Sequence, residues 1–220
     1  MEGGRGVGGH LASGGRRLLI SLGMAGRSLD DLVQDLGVRH RSKAAQRELM
    51  RRGPGATRAL QRGLSDPNPA VRVGCCVVLD HRLDASASPD LLANVAQEDA
   101  AVRRWAMHAL TCDRCKEGEC RPGEDDTIPL AIQMLTDDVD YQVRTAAVHA
   151  LGPSVHTRDD VVHVLQPPHA QDPHPLVRKV AGWFIPGGPI YGRTQPRPAR
   201  SYGESSSVGE ERLASGSMIE

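Results

Sequence analysis

The chain has 220 residues with 27 basic and 27 acidic side chains, so its formal net charge is zero. This balance gives no overall field that would attract nucleic acid or an anionic membrane, and we expect neither as a partner. Only 3% of the residues are aromatic. The core must therefore consist of Leu, Val, Ala and Ile, which favours packed helices over a β-sandwich.

Five cysteines, an odd number, argue against a secreted disulfide scaffold. The first apolar stretch, RRLLISLGMAG, is too short for a signal peptide or a membrane-spanning helix. We therefore expect a reducing, cytoplasmic location.

Composition and capping patterns divide the chain into three parts. Residues 1–26 are Gly-rich and residues 186–220 are rich in Gly, Pro and Ser, so we expect both segments to be disordered. Met24, just ahead of the first predicted helix, is a second candidate initiator. Ser28 and Thr157 each stand three residues before an aspartate, which predicts a helix start at both sites. The folded region is predicted to span 27–185.

Four segments within this region share one pattern: a turn with an acidic residue, then Val-Arg, then small and apolar residues at helical spacing. They are DPNPAVRVGCCVVL (66–79), QEDAAVRRWAMHAL (97–110), DDVDYQVRTAAVHAL (137–151) and DPHPLVRKVAGWFI (172–185). Each follows another helical pattern, namely TRALQRGL, PDLLANVAQ, TIPLAIQML and RDDVVHVL. The repeat predicts a series of similar helix pairs.

The underlying pattern, Asp-x4-Val-Arg-x2-Ala/Val, is clearest at 138–147 and 172–181. It resembles the HEAT repeat family, in particular the short bacterial HEAT repeats of phycobilisome-lyase-like proteins. The second segment departs from it, with Gln97 and Glu98 where the others carry Asp. The resemblance implies an all-α fold, a HEAT/armadillo-type α-solenoid of about four to five antiparallel helix pairs.

The resemblance also implies a structural role for the arginine that follows each valine. In HEAT-like families this arginine and the turn aspartate join adjacent repeats through charge-assisted hydrogen bonds. We therefore expect a ladder of such bonds in preference to a basic ligand site. The arginines are Arg72, Arg103, Arg144 and Arg178.

Each Val-Arg segment is the second helix of its predicted pair. In each second helix, the valine and the residues four, seven and eight positions later share the core face. Cys75 lies on this face and is interpreted as a small buried residue. Residues two, five and six positions after the valine are predicted to point to the concave face. They mix apolar side chains with His and Trp, as a groove for a protein or peptide partner would. The predicted contact residues are Cys76, Arg104, Met107, His108, Thr145, His149, Lys179 and Trp183.

Charge is distributed unevenly along the chain. Residues 38–63 carry eight Arg or Lys and one Glu, whereas residues 80–140 carry fourteen Asp or Glu and six Arg or Lys. A class of HEAT-like alkylpurine glycosylases binds DNA through a basic concave surface. Here the basic block lies on one terminal unit without interleaved aromatics, so we favour a solvated cap over a nucleic-acid site.

A cluster of His and Cys residues lies in an insertion. The Val-Arg spacings are 31, 41 and 34 residues, and the longest contains His108-x3-Cys112-x2-Cys115-x4-Cys120. His108 and Cys112 are one helical turn apart, and Zn²⁺ takes a Cys3His set in tetrahedral geometry. Since only one C-x2-C half-site is present, three alternatives stay open: a redox pair or disulfide, an iron–sulfur centre, which is less favoured than zinc, and unliganded thiols.

No residues resemble a nucleophile–base–orienter set or a phosphate-binding loop, so a non-catalytic role is favoured and catalysis is left open. Relatives of these repeats include bilin lyases and deoxyhypusine hydroxylases. The latter bind two irons through His-Glu pairs, and this chain has no His-Glu dipeptide. The favoured function is a scaffold or adaptor that binds a protein or peptide. The alternatives are a bilin-lyase-type activity and a metal- or redox-responsive protein that uses the cluster at 108–120.

Overall fold

The structure, a computed structural model, describes residues 23–112 and 124–195. All regular secondary structure in these two ranges is helical. The helices in chain order are α1 (Leu29–Leu36), α2 (Ser42–Arg52), α3 (Thr57–Gly63), α4 (Pro69–His81), α5 (Ser88–Val95), α6 (Ala100–Thr111), α7 (Glu124–Asp137), α8 (Tyr141–Leu151), α9 (Asp159–Gln171), α10 (Pro175–Phe184) and α11 (Pro189–Thr194). Short 3-10 turns occupy Gly53–Ala56, Ala85–Ala87 and Gly152–Ser154.

The helices stack as pairs, which confirms the predicted all-α solenoid. The first helices α5, α7 and α9 pack mainly on their own partners, the second helices α6, α8 and α10, whereas α3 packs equally on α4 and α1. The second helices also pack extensively against one another in chain order, and α1 continues their row by packing on α4. Between the first helices α7 and α9 lies an open groove of about 730 Å³. Because the second helices approach each other more closely, their row lies on the inner side of the stack.

The core forms as the helical spacing predicts. The valines and the residues four, seven and eight positions later are buried, except Ala150 and Ile185, which are partly exposed. Cys75 is fully buried, as predicted, and so is Cys76. Burial raises the pKa of the Cys75 thiol far above its usual range and that of Cys76 to about 12. Both thiols therefore stay protonated and inert at neutral pH.

The folded region is wider than the predicted span of 27–185. Met24 is buried at 4% exposure as part of the core. At the other end, α11 packs on α10 and places Ile190 and Tyr191 against the core. This helix lies in the segment predicted to be disordered, where the Gly and Pro content concealed its short apolar face. The remainder of both predicted tails, 1–22 and 196–220, lies outside the described residues.

Of the two predicted helix caps, one is correct. The Ser28 hydroxyl oxygen accepts a hydrogen bond from the Asp31 backbone N–H at 3.1 Å and caps α1. The Thr157 cap is wrong, because α9 begins at Asp159 and the Thr157 hydroxyl donates to the Ser154 carbonyl at 3.2 Å. Thr157 completes the preceding turn and leaves the α9 N-terminus without a side-chain cap.

Two arginine–aspartate pairs join adjacent repeats. Arg103 in α6 donates from Nε and Nη2 to the two carboxylate oxygens of Asp138 at 2.7 and 2.8 Å. Arg144 in α8 binds Asp172 in the same bidentate way, at 2.8 and 2.9 Å. We call each such pair a rung. Planar, charge-assisted bonds of this kind fix orientation as well as distance. The predicted structural role is confirmed for these two arginines.

Each rung also holds the turn of its own repeat. Arg144 donates from Nη1 to the carbonyls of Asp138 and Val139 at 2.9 and 3.1 Å. Arg103 does the same with the carbonyls of Gln97 and Glu98, at 2.9 and 2.6 Å. One guanidinium therefore sets the conformation of its own turn and the position of the next repeat.

No rung joins α4 to α6. Arg72 contacts its own turn, donating to the Asp66 carbonyl at 2.7 Å. Its Nε is buried and finds no hydrogen-bond partner in the described part of the chain. The next turn carries Gln97 at the rung position, and this residue is exposed. The departure from the repeat pattern thus leaves a buried donor unsatisfied between these two helices.

The Arg144–Asp172 rung should make stability depend on pH. Burial acts to raise the pKa of the Asp172 carboxyl, but hydrogen bonds from Arg144 and the His174 backbone N–H outweigh burial and lower it. A carboxyl with a depressed folded-state pKa contributes its full stability above its unfolded pKa of about 3.9. That contribution is lost as the pH falls through this value toward the folded-state pKa.

We expect Asp172→Asn to lower the free energy of unfolding by about 2 kcal/mol at pH 7, because a charge-assisted pair is lost. The difference from wild type should shrink below about pH 4, where the wild-type carboxylate also loses its charge. Urea unfolding at several pH values measures both effects. Asp137→Asn, at an exposed site, is the control and should change stability by less than about 0.5 kcal/mol. A pH-independent difference would contradict the assignment.

Supplying the missing rung between α4 and α6 should increase stability. Gln97→Asp should supply a carboxylate to the Arg72 guanidinium and raise the free energy of unfolding by about 1 kcal/mol. Urea unfolding of wild type, Gln97→Asp, Arg72→Gln and the double variant forms a double-mutant cycle. The gain should vanish in the Arg72→Gln background, and an equal gain in both backgrounds would show that the new carboxylate acts elsewhere.

Candidate functional site

Three side chains of different chemistry meet at the C-terminal ends of α4 and α6. Asp80 lies in the last turn of α4, His108 in the last turn of α6, and Cys112 directly after α6. His108 Nε2 lies 3.4 Å from Asp80 Oδ2. One ligand atom from each of the three residues lies within 4.8 Å of the other two. This arrangement places a carboxylate, an imidazole and a thiol around one point.

The side chains of this cluster differ in burial and charge. The Asp80 side chain is 3% exposed, whereas the His108 side chain is 41% exposed. A carboxylate in the last turn of a helix faces the negative end of the helix dipole. Burial adds to this cost unless a positive charge compensates it. The cluster therefore combines a buried anion with a solvent-accessible imidazole.

The predicted ligand set is only partly within the described residues. His108 and Cys112 come together as their spacing predicts, while Cys115 and Cys120 lie outside the described residues. Asp80 was not predicted, because its contact with His108 depends on the packing of two helices. Its one signal in the sequence is its place at the end of an apolar helix, where a carboxylate is unfavourable.

The donor set is selective. Thiolate and imidazole are ligands that Zn²⁺ accepts together with a carboxylate oxygen. Ca²⁺ and Mg²⁺ prefer sites made of oxygen ligands alone. The described part of the cluster thus suits a borderline-soft ion better than a hard one.

A second candidate surface lies along the second helices. We define the second-helix face by the predicted contact residues that are solvent-accessible, namely Arg104, His108, Thr145, His149, Lys179 and Trp183. The prediction is wrong for Cys76 and Met107, which are both 0% exposed. Both stand five positions after the valine, as does Val148, which is also buried.

The second-helix face places cations beside indole rings. The Arg104 guanidinium carbon lies 5.8 Å from the centroid of the Trp105 ring, and Lys179 Nζ lies 5.8 Å from that of Trp183. Arg104 also donates a hydrogen bond to the Gln142 side chain of α8. These contacts hold two positive charges against apolar surface.

The histidines of this face make ring contacts. His108 packs edge-on against Trp105 with ring centroids 5.4 Å apart, and His149 against Phe184 at 5.9 Å. Partial desolvation lowers the pKa of His149, and the nearby His108 lowers it further. His149 is therefore neutral at pH 7, and the positive charge of the face comes from Arg104 and Lys179.

Acidic side chains are scarce in the second helices. The fully described helices α4, α6, α8 and α10 contain one acidic residue, the buried Asp80. Arg103 and Arg144 are neutralised by the rungs. The charges of Arg104 and Lys179 thus have no acidic neighbour on their own helices.

The predicted basic block at 38–63 is partly neutralised within its own unit. Glu48 accepts hydrogen bonds from Arg51 and Arg52 at 2.8 and 2.7 Å. These bonds lower the pKa of Glu48 to about 2. Arg62 forms an ion pair with Asp30 at 2.5 Å. Several of the basic side chains thus have partners inside the terminal unit.

Comparison with known proteins supports the fold. None of the described helices combines the length and apolar character needed to cross a membrane. No curated protein matches the chain. Residues 56–152 match a family model described as HEAT repeats, a span that contains α3 through α8. Such repeats commonly mediate protein–protein interaction. The match identifies HEAT repeats in residues 56–152, and the stacked helix pairs and the arginine–aspartate rungs agree with that family.

Proposed function

We propose that the chain is a protein-interaction scaffold whose second-helix face binds an acidic peptide segment of a partner protein. The observation that carries this proposal is the placement of Arg104 and Lys179 beside Trp105 and Trp183, on helices with no exposed acidic side chain. The HEAT family provides the coarser support, since its repeats commonly bind proteins.

The two indole rings provide apolar contact area. Trp105 and Trp183 are both partly buried, so each presents one part of its ring to solvent while the rest packs on the core. Tryptophan and arginine are enriched among the residues that dominate binding energy at interfaces. A partner with apolar side chains can cover these rings without a large rearrangement.

The cations determine the charge of the partner. Arg104 and Lys179 lie on α6 and α10, two repeats apart, so they can pair with carboxylates separated along an extended or helical segment. Exposed charges mainly accelerate association and exclude partners of like charge. The proposed partner segment is therefore acidic and interrupted by apolar residues.

A displayed peptide library selected against the full chain tests this function. We expect enriched peptides that contain Asp or Glu beside apolar residues. Lys179→Glu and Trp183→Ala should each weaken their binding by about tenfold or more, because a hot-spot truncation costs about 2 kcal/mol. Fluorescence anisotropy with labelled peptides measures the change, and added salt should reduce affinity.

The matched control is Arg58→Glu, which makes the same kind of charge reversal at an exposed site on the first helix α3. It should leave peptide affinity unchanged. Equal loss in this control would indicate a nonspecific charge effect. Selected peptides that bind all variants alike would contradict a role for the second-helix face.

One alternative function has its own observation in favour. The Asp80–His108–Cys112 cluster supports a metal-responsive function, and His108 belongs to both this cluster and the second-helix face. The matching family model is described only as HEAT repeats, and this description names no catalytic activity that would favour the bilin-lyase-type alternative. The metal-binding part of this alternative leads to a separate proposal.

A further inference from the structure

We propose that Asp80, His108 and Cys112 bind a zinc ion that joins α4 to α6. The described residues provide one oxygen, one nitrogen and one sulfur ligand from two neighbouring second helices. This set differs from the one that the sequence predicts, because Asp80 comes from the preceding repeat and connects two repeats.

The distances suit this ion. Zn²⁺ bonds of about 2.0–2.3 Å in tetrahedral geometry place ligand atoms about 3.5 Å apart. His108 Nε2 and Asp80 Oδ2 are 3.4 Å apart, and all three ligand atoms lie within 4.8 Å of one another. The three side chains would occupy three of the four tetrahedral positions. The fourth is open to water or to another donor.

Charge also favours the ion. Asp80 is a buried carboxylate in the last turn of α4, and a nearby cation stabilises a carboxylate in such a position. A zinc ion also stabilises the Cys112 thiolate that would bind it. His108 is partly exposed and leaves the site accessible from solvent.

The location of the cluster within the repeats supports the proposal independently. The α6–α8 and α8–α10 interfaces each have a rung, whereas the α4–α6 interface lacks one because of Gln97. At the position of Asp80, nine residues after the valine, the next two repeats carry Thr111 and Gly152. The carboxylate thus occurs at the interface that lacks a rung, and the two interfaces with rungs have no carboxylate there.

The missing rung and the cluster lie at opposite ends of this interface. Arg72 is near the start of α4, whereas Asp80 is near its end, facing the end of α6. A zinc ion would therefore fasten the end of the helix pair that is farthest from the unsatisfied arginine.

Zinc binding to the full chain tests the proposal. The protein is stripped with a chelator, dialysed and titrated with Zn²⁺, and the bound metal is measured by elemental analysis. We expect stoichiometric zinc and an unfolding midpoint that rises with the logarithm of the zinc concentration. Co²⁺ should give a thiolate-to-metal charge-transfer band. Hydrogen exchange should slow in α4 and α6 more than in α10.

Variants of the ligands decide the assignment. Cys112→Ser should abolish the charge-transfer band. Asp80→Asn should weaken zinc binding by more than about 100-fold, because even the loss of a residue that only hydrogen-bonds a metal ligand weakens metal binding about 10–100-fold. Both substitutions keep side-chain size, and circular dichroism without metal checks folding. Because Cys112 is partly exposed, its variant provides the decisive result if Asp80→Asn fails to fold.

Cys115→Ser/Cys120→Ser is the matched thiol control and should keep zinc binding. Loss of zinc in this double variant would overturn the proposed trio in favour of the four-ligand set that the sequence predicts. The proposal is also overturned if wild type takes up no zinc, or if Asp80→Asn binds it as tightly as wild type. None of these results depends on peptide binding by Lys179 and Trp183.

Discussion

The bidentate hydrogen bond between an arginine of one repeat and the turn aspartate of the next determines how α6, α8 and α10 are arranged. Arg103 and Arg144 each bind the carbonyls of their own turn and a carboxylate one repeat later. Because these charges are largely buried, each group depends on its partner for compensation. The planar geometry fixes the register between repeats, so residues such as Arg104 and Lys179 align on one face.

Local geometry explains how much of the fold could be predicted. The burial of each valine and of the residues four, seven and eight positions later follows from the helical period alone, and the solenoid follows from its repetition. The width of the face that neighbouring helices cover does not follow from that period, which is why the prediction is wrong for Cys76 and Met107. The short α11 was missed because turn-forming residues surround its few apolar side chains.

The candidate metal site was predicted only in the part that one helix contains. His108 and Cys112 are a helical turn apart, so their proximity is a property of the sequence. Asp80 reaches His108 because α4 packs on α6, a contact between residues 28 positions apart (108 − 80). His108 belongs to both the cluster and the second-helix face. A zinc ion at this imidazole would therefore act directly on the surface proposed to bind peptides.

The unsatisfied Nε of Arg72 has a consequence for what holds α4 against α6. In stacked repeats, stability is approximately a sum of intrinsic repeat terms and nearest-neighbour terms. Helix packing between α4 and α6 is more extensive than between the second helices that have rungs. The neighbour term at this interface therefore comes from apolar burial, which is not directional, and lacks the orientation that a bidentate ion pair imposes. The α4–α6 interface is thus closely packed but has less control over the angle between its two helices.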